Sequence, residues 1–374
     1  MKKTMILALV LALVGMPSFA LASDFTSDAQ TLLDEMDFSA WDRWLEEIPS
    51  PVTSARALIE SILNQDYAQD ASFFQVILSV LFSQFSAIIP FCALIFSLCL
   101  ACALLNRLSG AFGKKGGVEL ICFILVAAPC IQSFSKSIAV CVHAIDSLCE
   151  FTTDAVPAML ALNASIGAAA TSALLEPSLL TASYLAGSLI RTALPYALSA
   201  ASILLLAQCA DTPANASGLL TLILSVSKAL LTAVLFIFAA VTSIKCAGAA
   251  SLDRVSVRAA KYTVDNFVPV VGGFFADSFE VLAGSVLTVK TAMGAGGLIF
   301  VALLLLSPMC VLIACWLAFK LLALAAQLLD SGRVCTLLDG FAKIYELAIA
   351  ALCSCAMLFV VVLAALLLCT GGLL

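Results

Sequence analysis

Residues 251–280 have the sequence SLDRVSVRAAKYTVDNFVPVVGGFFADSFE, a polar and punctuated segment in an otherwise apolar second half of the chain. Arg254, Arg258 and Lys261 lie between long apolar runs, as lysine and arginine do in loops on the cytoplasmic face of a membrane. Pro269 and the glycine that follows at Gly272 are residue types that interrupt helices. The stretch predicts a cytoplasmic basic loop over residues 245–266, with a break where the chain returns to the bilayer.

The composition supports a membrane location. The chain has 374 residues, of which 63% are hydrophobic and 11% are charged, whereas soluble domains carry about 25% charged residues. A soluble fold cannot cover so much apolar surface. We therefore predict an all-α, polytopic helical membrane protein.

The net charge of -6 comes from one segment. Residues 24–70 hold 11 acidic side chains against Arg43 and Arg56, and the remaining chain is almost balanced. Proteins that bind nucleic acid carry a basic patch or stripe. We therefore expect no nucleic-acid partner, and membrane lipid as the surrounding medium.

The N-terminal part has two predicted regions. Residues 1–22 combine Lys2 and Lys3, an apolar run and a small-residue cleavage site, which is typical of a signal peptide, with an uncleaved anchor as the alternative. Residues 23–86 form an acidic extracytoplasmic and interfacial helical region. Its amphipathic helices either contact headgroups or a partner protein, or cap the protein's own membrane domain. Residues 72–86 are predicted to lie at the interface.

The remaining residues, 87–374, are predicted to be a multi-span transmembrane domain with about eight spans. Residues 146–154 and 209–217 are placed outside, and residues 107–115 and 330–343 inside. Residues 267–290 are either an amphipathic helix on the cytoplasmic face or a re-entrant segment. The predicted spans are 87–106, 118–145, 155–174, 179–208, 218–244, a pair within 298–328 broken at Ser307 and Pro308, and 347–369, with a turn at Glu176 and Pro177.

The 15 cysteines do not indicate a disulfide scaffold, because most lie inside apolar runs and the acidic segment has none. Buried free cysteine behaves as a small hydrophobic residue. The alternative is a disulfide between Cys149 and Cys209, if both lie near one membrane face.

No catalytic or metal-binding pattern is recognisable. His143 is the single histidine, which excludes sites built from several histidines, and a lone histidine in a span is more often packed or helix-bridging. Nucleophile and phosphate-binding motifs are absent from the sequence. We predict a protein that is not an enzyme and that has no cofactor, metal or catalytic residue.

Charged residues inside spans are the remaining candidates, since they are costly unless paired or facing water. Arg191 and Lys228 lie near the middle of neighbouring predicted spans and are candidates for a polar path. The alternative is that they extend towards the membrane surface. Small residues around Gly167 and Gly294 suit close helix contacts, as in a bundle or a homo-oligomer.

The central stretch also resembles a known family. The segments SLDRVSVRAAK and NFVPVVG, together with later runs such as LTVK and KLLA, closely resemble the stage III sporulation protein AE family of endospore-forming Firmicutes. The similarity extends over essentially the whole chain, although the high cysteine content departs from it. The residues that carry the motif, taken here as structural candidates, are Asp253, Arg254, Arg258, Lys261, Asn266, Phe267, Pro269 and Gly272.

The resemblance implies a membrane subunit of a sporulation channel complex that links mother cell and forespore. It implies a place in the mother-cell membrane that engulfs the forespore, and a role in late forespore development. The partners that it implies are the other stage III A-operon proteins and, across the intermembrane space, the forespore protein Q. The residues alone leave an autonomous small-molecule permease as the alternative.

Overall fold

The computed structural model describes residues 71–111, 115–165, 169–210, 216–267, 272–329 and 332–368, with a few positions between Asp42 and Glu60. Residues 249–267 and 272–288 are described by their backbone only. The predicted signal peptide, most of the acidic region and Pro269 lie outside the described residues. The described helices are α1 (Ala71–Ala111), α2 (Lys115–Ser165), α3 (Ala169–Cys209), α4 (Ala216–Phe267), α5 (Gly272–Leu328) and α6 (Gly332–Leu368).

This part of the chain is all-helical, as predicted, and its six helices are each long and apolar enough to cross a membrane. The predicted count of about eight spans is not confirmed. The predicted span 118–145 and the first part of the span 155–174 share the single helix α2, whereas residues 169–174 begin α3. The pair within 298–328 is the single helix α5. These two mergers account for the difference between eight and six.

The predicted interruptions at residues 146–154 and at Ser307 and Pro308 are therefore wrong. Residues 146–154 contain acidic side chains but neither glycine nor proline, so their backbone continues the helix. Pro308 lies inside α5, because neighbouring helices compensate the hydrogen bond that a proline removes from a membrane helix. The predicted turn at Glu176 and Pro177 is likewise inside a helix, α3.

Three other predicted segments are continuous with a helix. Residues 72–86 and the first span form one helix, α1. The backbone of the predicted loop 245–266 extends α4 to Phe267, and residues 272–290 run directly into the apolar part of α5. The described backbone at 272–290 is thus regular helix and not an irregular re-entrant segment.

Helix α6 lies at the centre of the bundle, and α4 lies at its edge. Of the apolar window in α6, 72% is buried, against 17% in α4. Aromatic rings fill the centre between α2, α5 and α6. Phe151 stacks on Phe300 with ring centroids 4.2 Å apart, and Phe134 meets Tyr345 edge to face at 5.8 Å.

Close packing of α5 on α6 depends on a small residue, as predicted for the glycines near 294. A Cβ atom at Gly294 would lie 2.9 Å from Cδ1 of Leu367. Such backbone approach is typical of membrane helices, whose association depends on van der Waals packing. Ile59, from the N-terminal region, is fully buried in the same core. At this position the region packs on the membrane domain, which favours a cap.

The contacts fix which helix ends lie together. At one end, Cys102 of α1 donates to the carbonyl of Cys122 in α2. At the other end, Cys246 of α4 donates to the carbonyl of Ala365, near the end of α6. The predicted cytoplasmic segments 107–115 and 245–266 begin at these two opposite ends. Three helices separate them where four spans were predicted, so they cannot both be cytoplasmic.

Candidate functional site: a charged groove between α2, α3 and α6

A groove of about 380 Å³ lies between α2, α3 and α6. Helices α2 and α3 contribute polar side chains, and α6 contributes an apolar wall that includes Leu358 and Phe359. The two polar helices run antiparallel, because Asp146 contacts Arg191 while Cys149 faces Gly187. The groove therefore combines charge and apolar surface inside the apolar windows of all three helices.

The charged pair of the groove is formed by Asp146 and Arg191. Arg191 Nε lies 2.8 Å from Asp146 Oδ1, and 24% of the aspartate side chain and 58% of the arginine side chain are exposed. Asp146 Oδ1 accepts no hydrogen bond of regular geometry, so we describe the contact as an ion pair. Removing either partner leaves the other charge uncompensated within the span, which is costly.

The floor of the groove is formed by thiols. Cys149 and Cys355 both line it. A Cβ atom at Gly187 would lie 2.6 Å from Cys149 Sγ, so any larger residue there would displace the Cys149 thiol from its position between α2 and α3. All cysteines that the structure describes are free, in agreement with their prediction as small hydrophobic residues.

The alternative disulfide between Cys149 and Cys209 is wrong. Cys149 faces Gly187, and Cys209 lies 22 residues further along the same helix, α3. At 1.5 Å per residue this separation is about 33 Å, whereas the Cα atoms of a disulfide lie about 5.5 Å apart.

Only one of the two predicted path residues lies in the groove. Arg191 lines it, whereas Lys228 is half-buried on α4 and lines neither this groove nor a second cavity between α1, α2 and α5. The prediction of a polar path through both residues remains a prediction.

The family-motif residues are placed by their backbone. Asp253, Arg254, Arg258, Lys261, Asn266 and Phe267 lie on the last part of α4, and Gly272 is the first residue of α5. Their side chains belong to the part described by backbone only, and Pro269 lies outside the described residues.

Sequence reasoning missed Asp146 and Glu150 as site residues, because it placed them in an external loop. Both line the groove from α2. The spacing of these residues could have indicated the site. Asp146 and Glu150 are four residues apart, and Glu150 lies seven residues after His143. In a helix, such spacings place the side chains on one side. His143 itself is exposed, with its ring Nδ1 3.5 Å from the hydroxyl of Ser147, and is not a packed core residue.

A second charged cluster joins α5 to α6. Asp339 Oδ1 lies 2.7 Å from Lys320 Nζ, and Asp339 Oδ2 lies 2.9 Å from Lys343 Nζ. One carboxylate thus holds two ammonium groups, which gives Lys320 a structural role. Among the residues that the structure describes, no group of three or more His, Cys, Asp or Glu side chains is arranged to hold a metal.

These features define a polytopic helical membrane protein with charged residues at membrane depth. The family described as stage III sporulation protein AE matches residues 53–370, and the chain belongs to that family. The chain is also similar to "Stage III sporulation protein AE" of Bacillus subtilis (strain 168), with 26% identity over 313 residues, which are 83% of this chain and 78% of that protein. No solved structure matches it.

The match makes this a stage III sporulation membrane protein, and the family is not a known enzyme family. The matched region contains all six described helices and both segments of the central motif. The resemblance predicted from the sequence is confirmed.

Proposed function

We propose that this protein is a non-enzymatic subunit of a channel or secretion complex that links the mother cell and the forespore. The observation that carries the proposal is membership of a sporulation family over residues 53–370, combined with a bundle that places charged side chains at membrane depth. A purely structural membrane anchor has no need of such residues, because intramembrane charges are costly.

The proposed location is the mother-cell membrane that surrounds the forespore. The proposed partners are the other stage III A-operon proteins and, across the intermembrane space, the forespore protein Q. Family membership and the apolar helices support this assignment. The late forespore would depend on small molecules or proteins that pass through the complex.

The test is deletion of the gene in its native host, with a fluorescently tagged copy as the control that restores the function. We expect arrest after engulfment, shrinking forespores, and a tag signal around the forespore. Normal spores, with the tag spread over the membranes of growing cells, would contradict the proposal.

The acidic segment of residues 23–70 is a proposed docking surface for these partners. Its excess of carboxylates favours a basic partner. Ile59 is buried in the core and Arg56 pairs with Glu60 at 2.8 Å, so part of the segment serves the protein's own fold. We expect charge reversal at Glu46 and Glu47 to weaken complex assembly. Assembly at the normal level in co-purification would argue against docking through these residues.

The alternative function is an autonomous permease, which the groove with its Asp146–Arg191 pair favours. A permease transports its substrate when reconstituted alone, and substitution of Arg191 or Lys228 would abolish transport. A complex subunit gives no flux alone and shares its phenotype with deletions of its partners. Reconstitution of the purified protein in liposomes separates the two.

A further inference from the structure

The outer face of α2 changes chemistry along its length. From Leu120 to Ile131 its exposed side chains are all apolar. Between residues 132 and 153, six of the eight exposed side chains are polar or charged, and the other two are Ala139 and Val140. We name these six residues the polar face: Gln132, Ser135, Lys136, His143, Glu150 and Thr153.

Two charges of the polar face have no ion-pair partner among the described residues, Lys136 and Glu150. Each lies in a cavity. Lys136 lines the second cavity, of about 360 Å³, together with Gln84 and Gln132. Glu150 lines the groove that holds the Asp146–Arg191 pair. Both charges point away from the core of the single bundle.

These charges cannot both avoid the hydrocarbon layer. The apolar window of α2 runs from Leu120 to Ala161, 42 residues, and the layer covers about 20 residues of a helix. Lys136 and Glu150 are 14 residues apart. Every 20-residue stretch of this window therefore contains at least one of them. A charge at that depth requires water or protein against it, and lipid does not satisfy it.

The contrast with α4 shows which surface suits lipid. Between residues 219 and 244 the exposed side chains of α4 are mostly apolar, as at Leu230 and Phe236, and none is charged. The exposed hydroxyl groups in this range each donate to a backbone carbonyl of the preceding turn. Lipid tails match that surface. They do not match the polar face of α2, so the two sides of the bundle have different surroundings.

We propose that the polar face of α2 lines a water-filled pathway across the membrane and that further copies of this chain complete its wall. The proposal rests on the channel function proposed above and assigns the pathway to one helix face. The polar face is on the outside of the bundle, so a single copy cannot enclose water along it.

A second copy is the occupant that the charges favour. Lys136 and Glu150 of each copy would form two rings of charge that are 14 residues apart along the helix, and rings of charged side chains line the water-filled pores of ion channels. Oligomers of identical chains usually have closed rotational symmetry. In such an assembly, the same residue of each copy lies at the same depth and faces the shared axis.

The test measures the reaction of engineered thiols with a maleimide that does not cross membranes. Gln132→Cys, His143→Cys and Thr153→Cys report on the polar face, and Leu230→Cys and Phe236→Cys on α4 are the matched controls. Labelling is quantified peptide by peptide in membranes that contain the full chain, so the native cysteines are counted separately. Three independent positions keep the test valid if one variant does not fold.

We expect the polar-face thiols to react at least tenfold faster than those on α4, because maleimide reacts with the thiolate, which forms in water. Equal rates on both helices would overturn the pathway. Cross-linking between two differently tagged copies with a bifunctional maleimide then tests whether a second copy forms the wall of the pathway. Cross-linking of His143→Cys to itself, without cross-linking of Leu230→Cys, is the expected result.

The remaining outcomes are also decisive. Fast labelling without a cross-link between copies would overturn the role of a second copy and assign the wall to another subunit. Cross-linking without labelling would indicate a dry dimer interface and would overturn the pathway. Normal sporulation after gene deletion would contradict the proposed channel function while leaving these chemical results unchanged, so the two failures are distinguishable.

Discussion

Replacement of Gly340 by alanine tests the packing that holds the groove together. Gly340 is on α6 where α3 crosses it, and an added Cβ would overlap the Cδ1 and Cδ2 atoms of Leu205 and lie 3.0 Å from its Cγ. Rotation of the leucine about χ2 moves its two methyl groups but leaves Cγ in place, and a change of χ1, which would move Cγ, needs free space beside the side chain. Leu205 is 1% exposed, so the side chain has no open space to enter, and α3 must shift away from α6.

The expected magnitude combines two opposing effects. Alanine is more favourable than glycine inside a helix by about 1 kcal/mol. Overpacking a well-packed core costs about 1–3 kcal/mol, and here the upper half of that range applies because backbone must move. We therefore expect Gly340→Ala to destabilise the protein by about 1–2 kcal/mol. Gly248→Ala is the matched control, since nothing lies within 4 Å of its added Cβ, and it should stabilise slightly.

The assay is thermal unfolding in detergent, followed by the fraction that stays monodisperse after heating. A double variant, Gly340→Ala with Leu205→Ala, provides the decisive comparison. Leu205→Ala alone should cost about 2–5 kcal/mol by leaving a cavity. The added methyl group should then fill part of that cavity, so the second substitution becomes favourable. Equal effects of alanine at Gly340 and at Gly248 would refute the packing argument.

Three further predictions concern topology and polar contacts. Reporters inserted after Gly113 and after Pro269 should report opposite sides of the membrane. Each insertion is repeated with a second type of reporter as a control. If both reporters lie on the same side, the described arrangement of α2, α3 and α4 is contradicted. Asp339→Asn should lower the midpoint of thermal unfolding more than Lys343→Met does. The Asp339 carboxylate contacts two lysines, whereas the Lys343 side chain is 55% exposed. Equal midpoints for the two variants would argue against a charged link between α5 and α6. Tyr345→Phe should lower the free energy of unfolding by about 0.5–1.5 kcal/mol. The substitution removes one buried hydrogen bond of 3.2 Å from the tyrosine hydroxyl to the hydroxyl of Ser137. An unchanged midpoint of thermal unfolding would show that this hydrogen bond does not stabilise the protein.

The central cluster explains why Tyr345 is expected to tolerate phenylalanine. Its ring is packed by Phe134 and Phe319, which a phenylalanine would preserve. The hydroxyl of Ser137 also donates to the carbonyl of Ser133 at 3.0 Å, so loss of the tyrosine hydroxyl does not leave it without a partner.

Composition was sufficient for the fold class. A chain that is 63% hydrophobic with long apolar runs must bury its backbone polar groups within helices when it crosses a membrane. The family was also accessible from the sequence, because the central motif combines basic residues, proline and glycine in one specific order. Both conclusions depend on local composition and order, which a sequence displays directly.

The number of helices required the structure. Asp146, Glu150 and Pro308 are residues that usually mark a loop or a break, and in this chain all three are inside long helices. Asp146 is tolerated because Arg191 from α3 compensates its charge, and Pro308 because neighbouring helices surround it. Such compensation comes from residues distant in sequence, so inspection of the local segment predicts an interruption.

The sequence by itself thus determined that the chain is helical, that it is built for a membrane, and to which family it belongs. Tertiary structure decided which charges meet and which have no ion-pair partner among the described residues. Arg191 of α3 contacts Asp146 of α2, while Lys136 and Glu150 face outward on α2. The physical reason is that charge pairing depends on helix direction, register and rotation, and these follow from packing contacts such as Gly187 on Cys149, which join residues far apart in the chain.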